Sequence, residues 1–260
     1  MSDVRFELED HVARVTIDRP QVLNAIDPAA ERELGEIWER IERDRGVWVV
    51  VLTGAGDRAF SVGADMSARA VDETGLAYWA RERPDGFGGI ATRRTLNVPV
   101  IAAVNGYALG GGLEMVLGCD IAVAVEEARF GLTEPRVGRI PLDGGVFQLV
   151  RQIPRRLALG MLLTGRQISA AEALRYGLIN EVVARAHFAE AVQGWVDQVL
   201  QCAPLSLRAI KEMVLRTAAM PVEDAIRMRL PALVEALGSE DAIEGVRAFQ
   251  EKRKPRWRAS

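Results

Sequence analysis

The amino-acid sequence predicts an α/β core that gives way to an all-helical C-terminal region, and three observations carry that expectation. Continuous β-branched runs at 47–52, 98–104 and 120–125 read as strands covered on both faces. Segments with apolar residues at helical spacing lie between them. Beyond about residue 183, four helical segments succeed one another with no strand-like run among them.

The elements follow in chain order. Val4 to Leu8 and Val12 to Ile17 alternate apolar and polar residues around Glu9-Asp10-His11, which predicts a hairpin with one buried face and puts His11 at its turn. Asp27-Pro28 supplies an N-cap with proline at the first helical position, and Leu34, Ile37, Trp38 and Ile41 follow on one helical face. The run from Val47 ends at Thr53-Gly54. Met66 to Thr95, rich in Arg, Gly and Asp and containing Gly86-Phe-Gly-Gly89, has the weakest periodicity and reads as a long loop, a kind that commonly carries function. Val98 to Val104 leads into Asn105-Gly-Tyr-Ala-Leu-Gly-Gly-Gly-Leu-Glu114 and a short helix, Leu113 to Leu117. In the tail, helices are expected at His187–Gln201, Leu205–Ala218, Val222–Leu237 and Glu240–Arg253, with starts marked by Pro204, Pro221 and Ser239-Glu-Asp. Pro231 is expected to kink or split the third. Glu126-Glu127 and Glu240-Asp241 read as exposed or capping charges.

The chain has 260 residues, 49% hydrophobic and 27% charged, which excludes disordered, collagen-like and coiled-coil classes. It has 2 His and 2 Cys, so an ordinary zinc site has almost nothing to be built from, and no metal is expected. Carboxylates become the natural acid–base groups. A formal net charge of −3 gives no basic stripe for nucleic acid. The run Lys252 to Arg258 reads as a solvated tail. No apolar stretch reaches the roughly 20 residues of a membrane helix, and the first ten residues lack a signal-peptide core, so a soluble, cytoplasmic protein is expected.

Three segments carry candidate chemistry. Gly110-Gly-Gly112, after a buried strand and at a helix start, either permits tight packing or turns backbone N–H groups toward an anionic oxygen. Phe60-Ser-Val-Gly-Ala-Asp65 is a second small-residue turn after a strand, and Ser61 lacks the GxSxG setting of a hydrolase nucleophile. Glu134, with Glu114, places two carboxyl groups in apolar segments. They are either paired with Arg136 or Arg139 or held as working acids. Cys119 reads as core.

Taken together, Asp18-Arg-Pro20 with Leu23-Asn-Ala25, Phe60 to Asp65, Pro99 to Gly106 with Gly110 to Glu114, Phe130 to Glu134, and Glu244 to Pro255 resemble the crotonase superfamily, the enoyl-CoA hydratase/isomerase group, in order over essentially the whole chain. The resemblance implies a crotonase-type spiral of ββα units over residues 1–200 and a helical trimerisation region over 201–260, assembled as a trimer or dimer of trimers. It implies an acyl-CoA thioester substrate and no separate cofactor, since coenzyme A is part of the substrate. It makes the N–H groups of Ala64 and Gly111 an oxyanion hole for the thioester carbonyl, Glu114 the group that activates water at Cβ, and Glu134 the acid at Cα. Coenzyme A contacts carry over to Val22, Leu23, Ala25 and Asp65, and to Phe249 and Lys252 from an adjacent subunit. Pro141-Leu-Asp-Gly-Gly145 and two tail stretches look like the carnitinyl-CoA dehydratase branch, although that branch tends to carry aspartate where this chain has Leu142, with its acid one place later at Asp143. An acyl pocket is expected from Leu142, Trp79 and Phe87. The expected reaction is enoyl-CoA hydration. The alternatives are dehydration of a γ-substituted hydroxyacyl-CoA, double-bond isomerisation, thioester hydrolysis, or a non-catalytic CoA- or RNA-binding scaffold.

Overall fold

The computed structural model describes residues 3–67 and 74–260, with only the backbone of Trp79. The first hairpin, β1 (Val4–Glu9) and β2 (Val12–Ile17), pairs Val4 with Ile17 and Glu9 with Val12. Its turn residues Asp10 and His11 have φ of 45° and 70°, the positive values a two-residue hairpin turn requires. Helix α1 (Pro28–Arg43) is capped by Asp27, which accepts from the N–H groups of Ala29 at 2.9 Å and Ala30 at 2.8 Å. Its buried stripe is Ala30, Leu34, Ile37, Trp38 and Ile41. The Trp38 indole donates to Gly88 O at 2.8 Å, which ties the helix to a 3₁₀ turn at Phe87–Gly89.

The chain then builds two sheets at once. Strands β3 (Val49–Gly54), β5 (Val100–Val104), β7 (Ile121–Val125) and β10 (Glu181–Val183) join the hairpin in a six-stranded sheet of order β1-β2-β3-β5-β7-β10, parallel from β2 onward. Strands β4 (Ala59–Ser61), β6 (Tyr107–Leu109), β8 (Arg129–Gly131) and β9 (Ile168–Ser169) form a four-stranded sheet in that order. Each of the pairs β3/β4, β5/β6 and β7/β8 thus gives one strand to each layer before the next helical segment, which is the expected spiral. The β-branched runs are covered on both faces: Val50, Leu52, Val100 and Ala102 lie in the core shared with α1, whereas Val49, Val51, Ile101 and Val123 face Val192 and Val196 of the helix spanning Phe188–Leu200.

The long stretch expected as loop holds, within its described part, helix α2 (Gly75–Trp79). Thr74 caps it by accepting from Ala77 N at 3.0 Å, too short a pattern to register as periodicity. The remaining helices are α3 (Gly111–Leu117), α4 (Gly145–Gln152), α5 (Arg155–Thr164), α6 (Ala170–Tyr176), α7 (Phe188–Leu200), α8 (Pro204–Thr217), α9 (Val222–Ala225), α10 (Pro231–Leu237) and α11 (Glu240–Gln250). Pro231 does more than kink a helix. It occupies the first turn of α10, where its missing N–H costs nothing, so the 222–237 segment is two helices.

Helix α8 is tied to the core: Arg208 donates to Asp44 O and Val47 O, each at 3.0 Å, and Lys211 Nζ lies 2.6 Å from Asp120 Oδ2. The cations of the C-terminal run are exposed, as expected of a solvated segment, but its backbone is pinned to α11. Asp241, expected as an exposed or capping charge, is 2% exposed and accepts from the N–H groups of Arg258 at 2.8 Å and Ala259 at 2.9 Å. Glu244 accepts from Arg256 N at 2.9 Å and pairs with Arg253 at 2.6 Å, and these donors hold its carboxyl down to about 2. No helix among the described residues is long and apolar enough to cross a membrane.

Candidate active site

The smaller sheet positions the site. Strands β4, β6 and β8 are neighbours and parallel, so their C-terminal ends emerge on one edge. The segments leaving them are Val62-Gly63-Ala64, Gly110-Gly111 and Thr133-Glu134. All three, with Glu114 of α3, line a cavity of about 510 Å³.

Two glycines let the first two turns meet. Gly63 has φ 87°, and a Cβ there would stand 2.8 Å from the Gly111 nitrogen. Gly110 has φ 53° and ψ −128°, and its Cβ would stand 3.0 Å from Glu134 Oε1. Gly111 opens α3, so its N–H has no acceptor within the helix. Among the described residues no backbone carbonyl accepts from Ala64 N or Gly111 N. Two N–H dipoles are therefore left for an oxygen in the cavity.

The 62–65 turn is held from behind by residues 19–27. Ile26 N donates to Gly63 O and Asp65 N to Ile26 O, both at 2.8 Å. Asn24, fully buried with φ 56°, donates to Ala59 O at 2.7 Å and Ala55 O at 3.0 Å and accepts from Arg19 N at 3.0 Å. Arg19 pairs with Asp65 and Asp27, each at 3.1 Å. Hydrogen bonds from Ser67 outweigh burial and, with Arg19, keep the Asp65 carboxyl below its ordinary value. Arg19 and Asn24 stand in the sequence only as letters of a family motif; their chemistry is a clamp on the 62–65 turn, signalled there by no more than polar residues in an apolar context.

Glu114 lies in the first turn of α3, 3% exposed, with Oε1 accepting from Gly145 N at 2.8 Å. Burial, then the charges of Asp143 and Glu134, push its pKa up to about 8 against the relief of that N–H. Glu134 opens a 3₁₀ turn, Glu134–Val137. Burial chiefly, and Asp143 after it, raise Glu134 to about 7. Its Oε2 is shut off from solvent and, among the described residues, has no hydrogen-bond partner. Neither carboxyl makes an ion pair among the described residues, and Arg136 instead donates to Thr164 O at 3.3 Å. The arrangement holds two carboxyl groups that ionise near neutrality beside two free N–H dipoles, the equipment for moving protons around an oxyanion.

Phe87 and Leu142 line the cavity with Val62, Met66, Val137 and Ile140. The Trp79 side chain lies outside the described residues. Tyr78, Arg139 and Asp143 also line it and had been missed as site residues. Val22, Leu23 and Ala25 stand behind the 62–65 turn and Asp65 ends it; none of the four lines the cavity. Phe249, 85% exposed, and Lys252 lie at the end of α11, away from it. His11 stacks on Trp48 at the hairpin, with ring centroids 3.7 Å apart, and His187 precedes α7; neither lines the cavity. Cys119 is packed against the core and donates to Met115 O at 3.3 Å, and burial pushes its thiol far up.

Residues 7–260 match the family described as enoyl-CoA hydratase/isomerase. The chain is 39% identical to an (E)-benzylidenesuccinyl-CoA hydratase of Thauera aromatica, over 99% of both chains. It is 40% identical to a carnitinyl-CoA dehydratase of Escherichia coli strain K12, over 95% of both. Among solved structures, an enoyl-CoA hydratase of Mycobacterium marinum superposes with a TM-score of 0.90 at 31% identity, covering 100% of each chain. The chain belongs to the enoyl-CoA hydratase/isomerase family, with the crotonase fold. Its class is that of the hydro-lyases that add or remove water on CoA thioesters.

Proposed function

We propose that the protein reversibly adds water across the 2,3 double bond of an enoyl-CoA. The observation that carries this is the convergence of Ala64, Gly111, Glu114 and Glu134 on one cavity. The thioester oxygen accepts from the N–H groups of Ala64 and Gly111. Glu114, ionised, takes a proton from water as its oxygen bonds to Cβ, and the electron pair of the double bond moves onto the thioester oxygen as an enolate. Glu134, protonated, then gives its proton to Cα as the enolate collapses to the thioester. Dehydration runs the same steps backward. Fixed dipoles stabilise the enolate without reorganising, and losing one such donor costs about 2.7–4 kcal/mol of barrier.

A pair ionising at about 7 and about 8 can share a single proton at neutral pH, which a reaction needing one base and one acid requires. The relative named carnitinyl-CoA dehydratase supports a second reading, in which the substrate is a γ-substituted hydroxyacyl-CoA and dehydration is the working direction. Exposed apolar side chains on the helical tail, among them Ile210, Val214, Ile243, Val246 and Phe249, support assembly as a trimer or dimer of trimers. Steady-state hydration of a panel of enoyl-CoA thioesters by wild type, Glu114→Gln and Glu134→Gln tests the reading. Each variant is expected to lose at least about a hundredfold in kcat. Full activity in either removes that residue from the mechanism.

A further inference from the structure

Asp143 is a third carboxyl in the same cavity. It is 9% exposed and lines the cavity with Glu114 and Glu134. The Tyr78 hydroxyl donates to its Oδ2, and Arg83 Nε lies 3.7 Å from its Oδ1. Two residues on, Gly145 donates its N–H to Glu114 at 2.8 Å, so one turn carries both the third acid and the support of the first.

The charge balance around Asp143 is uneven. Arg83 also pairs with Glu31 of α1 through its Nη2, and its guanidinium stacks over the Tyr78 ring, 4.7 Å from the centroid. Two carboxylates, Glu31 and Asp143, share the Arg83 guanidinium. Of the other groups facing Asp143, Glu114 comes from α3 and Glu134 from the turn after β8. Arg139 follows that turn and lies with its guanidinium against Gly75 at the start of α2.

We propose that Asp143 is a positioning residue of this site, its fixed negative charge deciding how many protons the Glu114–Glu134 pair holds near neutrality. The proposal rests on the reading of that pair as the acid and base of the hydration. In a cavity poor in water each ionised carboxyl makes the next ionisation costlier. With the Asp143 carboxylate held in the same cavity by Tyr78 and Arg83, both ionisations of the pair become costlier. Near neutrality the pair then holds a single proton, the state that one base and one acid require. The Asp143 charge contributes to the raised acidity constants of both glutamates, after burial in each case.

The test follows the two glutamates directly, by NMR titration of protein labelled with carbon-13 at its glutamate carboxyls, between about pH 5 and 9. Glu114→Gln and Glu134→Gln identify the signals. In Asp143→Asn both midpoints are expected to fall by on the order of one pH unit. Tyr78→Phe keeps the charge while removing the hydroxyl, and should move them far less. Unchanged midpoints in Asp143→Asn, or an equal fall in Tyr78→Phe, would overturn the proposal. Should Asp143→Asn fail to fold, Asp143→Ser is measured in its place with the same expectation. A purely structural role lowers stability without moving the titrations. The readout needs no turnover, so absence of hydration on every thioester counts against the proposed reaction alone.

Discussion

Gly110→Ala presses directly on a glutamate of the site with the smallest chemical change. At φ 53° and ψ −128° the backbone sits where a side chain is strained, at a cost of about 1–3 kcal/mol. The added methyl would stand 3.0 Å from Glu134 Oε1, tighter than ordinary contact, and 3.5 Å from its carboxyl carbon. Either the methyl pushes the carboxyl group away or the turn moves and takes the Gly111 N–H with it. A displacement near 1 Å in such a constellation costs roughly a hundredfold in rate, about 2.7 kcal/mol. The assay pairs kcat/KM on the best thioester with thermal unfolding, where the strain should lower Tm by about 2–12 °C. Gly160→Ala is the control, because that exposed helical glycine has nothing within 4 Å of a built Cβ and should change neither activity nor, beyond about 1 kcal/mol, stability. Wild-type kcat/KM in Gly110→Ala, with Tm lowered, would show that the turn serves folding alone.

Other outcomes follow from the same geometry. Asn24→Ala leaves Ala55 O, Ala59 O and Arg19 N without their buried partner, and urea unfolding should register a loss of about 2–4 kcal/mol; a loss below about 0.5 kcal/mol would dismiss the clamp. Because Glu114 and Glu134 keep their protons in the native state up to about 8 and about 7, above the ordinary 4.5, the folded protein binds more protons than the unfolded chain in that window. Stability therefore falls as pH rises through it. Glu134→Gln removes part of that slope, so its stability relative to wild type should improve between about pH 5 and 8 by on the order of a few kcal/mol. Parallel stability curves for the two proteins would mean that Glu134 ionises normally.

Much of this was legible in the sequence because it is local. The hairpin announced itself by alternation, α1 by Asp27-Pro28 and its apolar stripe, and the covered strands by β-branched runs such as 98–104. The glycine turns were visible as glycines, but their meeting was not. That Gly63 abuts Gly111, and that Glu134 arrives beside Gly110, depends on β4, β6 and β8 lying parallel and adjacent, and no local pattern encodes that pairing. Family resemblance supplied the link that periodicity lacked. Asp143 escaped for a related reason: next to Leu142 it read as a displaced acid, and only the packing of Tyr78 and Arg83 against it gives it a place in the cavity. The cations of the C-terminal run are exposed as composition suggests, but the contacts that pin it, backbone N–H groups with the Arg253–Glu244 pair, are invisible in composition.

The central claim is that one cavity holds a thioester by two N–H groups and moves water with two glutamates. Mass spectrometry of enoyl-CoA thioesters turned over in oxygen-18 water tests it most directly. The account predicts an intact thioester that gains one water, with the heavy oxygen as a hydroxyl at Cβ, formed by wild type and lost in Glu114→Gln. Free coenzyme A with the heavy oxygen in a released carboxylate, or no gain of water on any thioester, would contradict it.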